Sequence, residues 1–329
     1  MNIVYLIGNG FDINLNLKTR YPEFYSEFTK QEFETKGTEL LKSEIKENTK
    51  DWSDFEKKFG DFTSIFKEDT NEFNKTYKDV VISLSNYLLK VEKTFKPKEI
   101  DKDKFIDDII NPEKNLLPLD ERQIKTFKKK WDKNPITINF ITYNYTKTIE
   151  KILGKNSNID LGLTRQQKRI LIADIKHVHG YLNKRMIIGV NDKSQISNEI
   201  FKEQDEVTYN LIKSVSNEIS KELVMEDCIN KIKGAQLICI FGSSIGSTDL
   251  MWWQLIIEKL KTDCLLVIFH RGPDTNPLLP SENAILENKV KNDFFEMAKI
   301  SASERKALEK KVIVAVNSEM FNILKNNYS

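Results

Sequence analysis

The sequence predicts an α/β protein: a doubly wound parallel sheet with a large helical insertion. Three observations carry this. Short apolar runs recur along the chain, and several are β-branched or aliphatic almost throughout, as strands buried on both faces are. Charged segments with helical spacing lie between them, and strand alternating with helix is the pattern of a sheet covered on both sides. One helical stretch, residues 22–130, is far longer than a single crossover requires.

The first run, Ile3–Ile7, drops straight into Gly8-Asn9-Gly10-Phe11-Asp12. It is too short for the core of a signal peptide and has no basic segment before it, so it reads as a strand entering a glycine turn. Gly8 and Gly10 allow positive φ and close approach of a ligand to backbone N–H groups. Phosphate-binding strand–turn–helix units start this way, and so do ordinary βα turns. Next, Phe24, Phe28, Phe33, Leu40, Phe55, Phe59, Phe62 and Phe66 stand amid Lys and Glu. They mark amphipathic helices, expected to form a cap of residues 22–130 over a core of residues 1–21 and 131–329. Further strands are expected at Ile136–Thr142, His177–Tyr181, Met186–Val190, Ala235–Phe241, Leu265–His270 and Val312–Val316. Gly, Asn and Pro content marks residues 154–169 and 271–283 as loops.

Composition narrows the function classes. The 329 residues are 30% charged and 40% hydrophobic, the profile of a globular chain with a full core. A net charge of +2 with interleaved signs supplies no global field to draw the chain onto nucleic acid. Only seven of the 51 basic residues are arginine, so bidentate anion clamps are scarce. No apolar stretch approaches the ~20 residues of a membrane span. The cysteines, Cys228, Cys239 and Cys264, are far apart and form no CxxC. A disulfide framework and a cysteine zinc site are therefore not expected, and a cytoplasmic setting is.

Four strand ends carry polar signatures, and strand ends are where open α/β sheets bind ligands. They are the Gly8–Asp12 turn, Asn144 in "ITYNYTKTIE", the His177, His179 and Gly180 group, and Gly242-Ser243-Ser244 followed by Asp249. Plainer readings stand beside each: Asn144 as a turn residue, Asp249 as an N-cap, Glu56 as a solvated helix carboxylate and Asp12 as a helix-start acid. His177 and His179 would lie on one face of a strand. As a metal pair they lack a third ligand, so no metal is expected.

Two resemblances follow from these residues. "IGNGFDINLNLKTRYPEF", "DWSDFE" and "ITYNYTKTIE" resemble the bacteriophage abortive-infection AbiH family over nearly the whole chain. The order Gly-x-Gly, Thr-x-Asn-Tyr, His-Gly, Gly-Ser-Ser and a later Asp resembles the Rossmann-like, sirtuin-like NAD-consuming fold, at scattered strand ends only. Together they imply an antiphage effector hydrolysing NAD, or a related nucleotide, at its N-glycosidic bond. Asn144 and His179 would work at the nicotinamide ribose. Gly8, Asn9, Gly10, Phe11, Gly242, Ser243 and Ser244 would hold the pyrophosphate, and Asp249 a ribose hydroxyl. Sirtuins carry an acid two places after the motif asparagine, where this chain has Thr146; Asp12 and Glu56 are candidate replacements. The sirtuin Pro-Asp-Phe-Arg stretch is here Lys18-Thr19-Arg20-Tyr21, and a four-cysteine module is missing, which argues against a protein deacetylase. A phage-derived or host protein trigger and a homo-oligomer fit the effector reading. The alternative is a nucleotide-binding sensor of a phage-defence system without catalysis. A nuclease-type toxin would want clustered carboxylates or a basic groove.

Overall fold

The computed structural model describes residues 1–163, 168–276 and 278–325. Seven strands form one sheet: β1 Asn2–Ile7, β2 Ile136–Thr142, β3 Ser157–Leu163, β4 Arg169–His177, β5 Leu237–Phe241, β6 Leu265–His270 and β7 Val312–Val316. Their spatial order is β3-β4-β2-β1-β5-β6-β7, so the first strand lies at the centre and the chain builds outward on both sides of it. All neighbours pair in parallel except β3 with β4. The expected parallel sheet is thus mostly, not wholly, parallel.

The central strands form where both faces can be buried. On β1, Ile3, Tyr5 and Ile7 enter one apolar cluster and Val4 and Leu6 the other. That two-sided burial is the physical reason for an unbroken apolar run rather than an alternating one. Between β1 and β2 the described backbone is helical wherever it is regular, from the short helix Gly10–Asn14 through Thr70–Thr94 to Pro118–Lys128. These helices share the cluster of Ile3 and Tyr5: Phe24, Phe55, Phe59, Phe73 and Phe105 are all fully buried there. Tyr5 Oη, on the sheet, donates to the Ile109 carbonyl at 2.9 Å. Tyr77 Oη, on the long helix, donates to the Ile188 carbonyl at 3.1 Å.

Three expectations are overturned beyond β2. Residues 157–163 form a strand, where a loop was expected; residues 164–167 of that stretch, and residue 277 of the later loop, lie outside the described residues. β3 is half-exposed at the sheet edge, so it needs no apolar run and carries Asn, Asp and Gly. The strand expected at His177–Tyr181 is instead the end of β4, which finishes at His177, followed by a turn. Met186–Val190 is not a strand; it carries two isolated bridges, Gly180 with Met186 and Val190 with Ile212.

Candidate functional site

Parallel registry sets where the strands stop. Ile7 is level with Thr142 and Phe241, Thr142 with His177, and Phe241 with Phe269. Just beyond this edge lies a cavity of about 1090 Å³. Gly8, Asn9, Gly10, Asp12, Asn144, His179, Gly242, Ser243, Ser244 and Asp249 all line it. Asp54, Glu56, Leu84 and Leu88, from the helical stretch between β1 and β2, complete it. Phe11 does not line it. Its side chain is fully buried among Phe105, Phe241 and Phe321, and its N–H donates to the Gly8 carbonyl, so the nucleotide contact expected of it is not available.

The glycine turns are built differently from the expectation. Neither Gly8 nor Gly10 has positive φ; Gly242 does, at +70°. The Gly8 N–H donates to the Phe241 carbonyl at 2.9 Å and the Gly10 N–H to the Gly242 carbonyl at 2.8 Å. A Cβ on Gly10 would lie 2.5 Å from Gly242 Cα, and one on Gly242 2.6 Å from the Phe11 nitrogen. These glycines let the β1 and β5 turns interlock, and the two N–H groups expected to face a pyrophosphate are already donated.

Asp12 sits beneath the cavity, 1% exposed. Thr148 Oγ1 donates to its Oδ1 at 2.7 Å, and Thr146 Oγ1 donates to its Oδ2. Burial pushes its carboxyl up to about 6, against the hydrogen bonds of Thr146, Thr148 and Asn144 that favour the charged form. Thr146, two places after Asn144, thus delivers its hydroxyl to the Asp12 carboxylate. Asn144 is 6% exposed, and its Oδ1 has no partner among the described residues.

The two histidines part company. His177 is a rivet: Nδ1 lies 2.8 Å from the Asn144 carbonyl and Nε2 2.7 Å from Glu150 Oε1. A carbonyl only accepts, so Nδ1 carries hydrogen and donates to it. His177 therefore belongs to the support of the Asn144 turn. His179 lines the cavity, with Nε2 3.4 Å from Asp249 Oδ1. Its ring lies 5.6 Å from that of Tyr143, whose buried Oη lacks a partner among the described residues.

Behind Asp249 stands a residue that sequence reasoning missed. Lys213, 5% exposed, places Nζ 3.2 Å from Asp249 Oδ1 and 2.7 Å from Glu56 Oε2. Burial opposes its charge, yet Asp249 and Glu56 outweigh burial and hold the ammonium above its usual range. Burial alone would raise the Asp249 carboxyl, but Lys213 and His179 hold it well below the ordinary carboxylate value. Glu56 is accordingly a paired group rather than the solvated carboxylate its sequence setting suggests, and Asp249 makes no capping bond to the helix it precedes. Nothing in the local sequence singles Lys213 out from the many helical lysines around it.

Among the described residues, no group of three or more His, Cys, Asp and Glu side chains is placed to hold a metal ion. No described helix is long and apolar enough to cross a membrane. A family model described as bacteriophage abortive infection AbiH matches residues 4–270. The chain belongs to the AbiH family. No curated protein matches it. The AbiH match runs from β1 through the end of β6, and so contains His179, Asp249, Lys213, Glu56, Asp12, Asn144 and both interlocked turns. Membership of AbiH points to a role in bacteriophage abortive infection.

Proposed function

We propose that the protein is an antiphage effector, its core Rossmann-like in the sirtuin manner, that hydrolyses NAD or a related nucleotide at its N-glycosidic bond. The observation that carries this reading is the meeting of His179, Asp249 and Asn144 on one cavity at the sheet's ligand-binding edge. With Asp249 beside Nε2, the ring proton is held there and Nδ1 is left as the acceptor. Water attacks C1′ of the ribose, the C1′–N bond breaks, and its electron pair leaves with the base as neutral nicotinamide. The proton lost by the water goes to His179. The Asn144 amide, which does not titrate, orients the water or a ribose hydroxyl, and Asp12 with Thr146 and Thr148 positions that amide. Ser243 and Ser244 take the phosphates, since the Gly8 and Gly10 N–H groups are occupied.

The test is direct: purified protein incubated with NAD, and nicotinamide followed by chromatography. Release that disappears in His179→Ala is expected. The competing reading, a nucleotide sensor without catalysis, draws on the burial of Asn144 and His179, 6% and 4% exposed, which leaves little of either in contact with solvent. Saturable NAD binding with no nicotinamide released, in protein taken from phage-infected cells, would replace the hydrolase by the sensor.

A further inference from the structure

We infer that Lys213 is a positioning residue of this cavity: it sets the charge that faces His179 and ties that charge, through Glu56, to the helices between β1 and β2. The inference deepens the hydrolase reading and rests on it for its catalytic meaning; the wiring itself stands on geometry.

Lys213 begins the helix Lys213–Ile219, and its own N–H donates to the Val190 carbonyl at 3.0 Å, so its backbone is fixed. An ammonium has three protons and no acceptor. Here Nζ meets three acceptors: Glu56 Oε2 at 2.7 Å, Asp249 Oδ1 at 3.2 Å and the Thr248 carbonyl at 3.4 Å. Glu56 comes from the helix Phe55–Phe62, Asp249 from the segment after β5, and His179 from the turn after β4. One buried cation therefore joins the Glu56 helix to the Asp249 segment directly, and His179 is reached through Asp249. A long side chain buried this completely is not a surface ion pair; removing one partner leaves an uncompensated charge.

The charge count gives the consequence. Glu56 and Asp249 contribute two negative charges and Lys213 one positive, leaving a net of one negative beside His179. Without Lys213 two carboxylates would act on the imidazole and hold a proton on it, and a protonated ring is no base. The other ionisable groups facing this cluster are Tyr143 against the His179 ring and near Asp249, Tyr21 and Tyr145 near both Glu56 and Asp249, Tyr77 near Glu56, and Asp54 near Tyr21. His177, two residues along the chain, has its own carboxylate in Glu150. None of these supplies a second cation to Asp249.

The test needs no substrate. The chain has three histidines, so three imidazole spin systems can be followed by NMR across a pH titration of the full-length protein. Lys213→Met should move the His179 titration to higher pH, as loss of a nearby cation does. Glu56→Gln should move it the other way, since it removes a negative charge and leaves Lys213 to Asp249 alone. Lys213→Arg should hold the wild-type midpoint. Opposite signs from the two neutralising variants are what a merely structural role would not produce. If Lys213→Met does not fold, the downward shift in Glu56→Gln and the unchanged midpoint in Lys213→Arg carry the test. A His179 midpoint that stays put in the folded variants, or moves the same way in Lys213→Met and Glu56→Gln, overturns the inference. Absence of nicotinamide release together with the two opposite shifts would discard the hydrolase and leave the role of Lys213 standing.

Discussion

Two parts of the cavity lining are built in opposite ways. At the β1 and β5 turns, backbone meets backbone: Gly10 donates to Gly242, and neither residue has room for a Cβ. At the His179 side, charged groups from three segments meet through Asp249 and Lys213. The turn with the recognisable glycine signature is held by shape. The side that carries adjustable chemistry is held by charge, and its central cation has no sequence signature. A substitution in the first should act on folding, and one in the second on the behaviour of the site.

The largest effect should come from the interlocked turns. Gly10→Ala places a methyl 2.5 Å from Gly242 Cα, and Gly242→Ala adds the strain of φ +70° to a similar overlap. Each should cost about 3 kcal/mol or more, because two backbones cannot separate without breaking their hydrogen bonds. Thermal unfolding measures this. A Gly10→Ala protein that melts with the wild type would show that the glycine serves a ligand rather than the interlock.

Next comes His177→Ala, which tests where shape gives way to charge. It strips the partner from the Asn144 carbonyl and from Oε1 of Glu150, a carboxylate whose Oε2 has none among the described residues. Leaving a buried carboxylate and carbonyl unpaired should cost about 2–4 kcal/mol. The urea midpoint reports it, and a midpoint unchanged from wild type would mean that this ring is not the rivet of the Asn144 turn.

Asp12 should give a smaller, pH-dependent term. Its carboxyl is raised from 3.8 to about 6 by burial. The native state therefore holds the Asp12 proton more tightly than the unfolded chain does. The stability this supplies is complete below pH 3.8 and is lost as pH rises through about 6. Asp12→Asn should remove that dependence, so the stability difference between wild type and variant should change by about 2–3 kcal/mol across this window and stay flat above it. A difference that is constant from pH 4 to pH 7 would place Asp12 in an environment as wet as the surface.

Legibility of the sequence followed burial. β1, β2, β5, β6 and β7 were readable because both of their faces are covered, which forces continuous apolar runs such as Leu237–Phe241. β3 was not, since an edge strand with one wet face tolerates Asn158, Asp160 and Gly162 and so looks like a loop. β4 was displaced because the Val178 and His179 stretch mimics a strand, while the strand itself is the mixed run Arg169–His177. In the site, residues at strand ends announced themselves, for parallel strands must bring Asn144, Gly242 and the His177 region to one edge. What could not be read was pairing. Glu56 was visible as an acid, but only the fold shows that it meets Lys213, 157 positions later (213 − 56).

The smallest effect on stability should come from His179→Ala, and there the comparison is sharpest. Asp249 keeps Lys213 at 3.2 Å when the imidazole is gone, so no carboxylate is orphaned. The Ile187 N–H bonds to the main-chain carbonyl of residue 179, and alanine retains it. What disappears is a ring beside Tyr143 and its contact with Asp249, which keeps Lys213, a loss of about 1 kcal/mol, under that of His177→Ala. On the proposed reading, removal of the base lowers nicotinamide release by ~10²–10⁴, enough to end the draining of a cell's NAD. The two histidines thus predict opposite profiles: His177→Ala weakens the fold first, whereas His179→Ala silences phage protection in a protein that still melts cooperatively near the wild-type temperature. Unfolding midpoints, protection against phage and cellular NAD, measured on both variants, decide between them. Should His179→Ala lose stability and protection in step, the ring is a core histidine. Full protection by this variant with constant NAD would shift the reading to a sensor, in which Asp249 and Lys213 recognise a nucleotide and hydrolyse nothing.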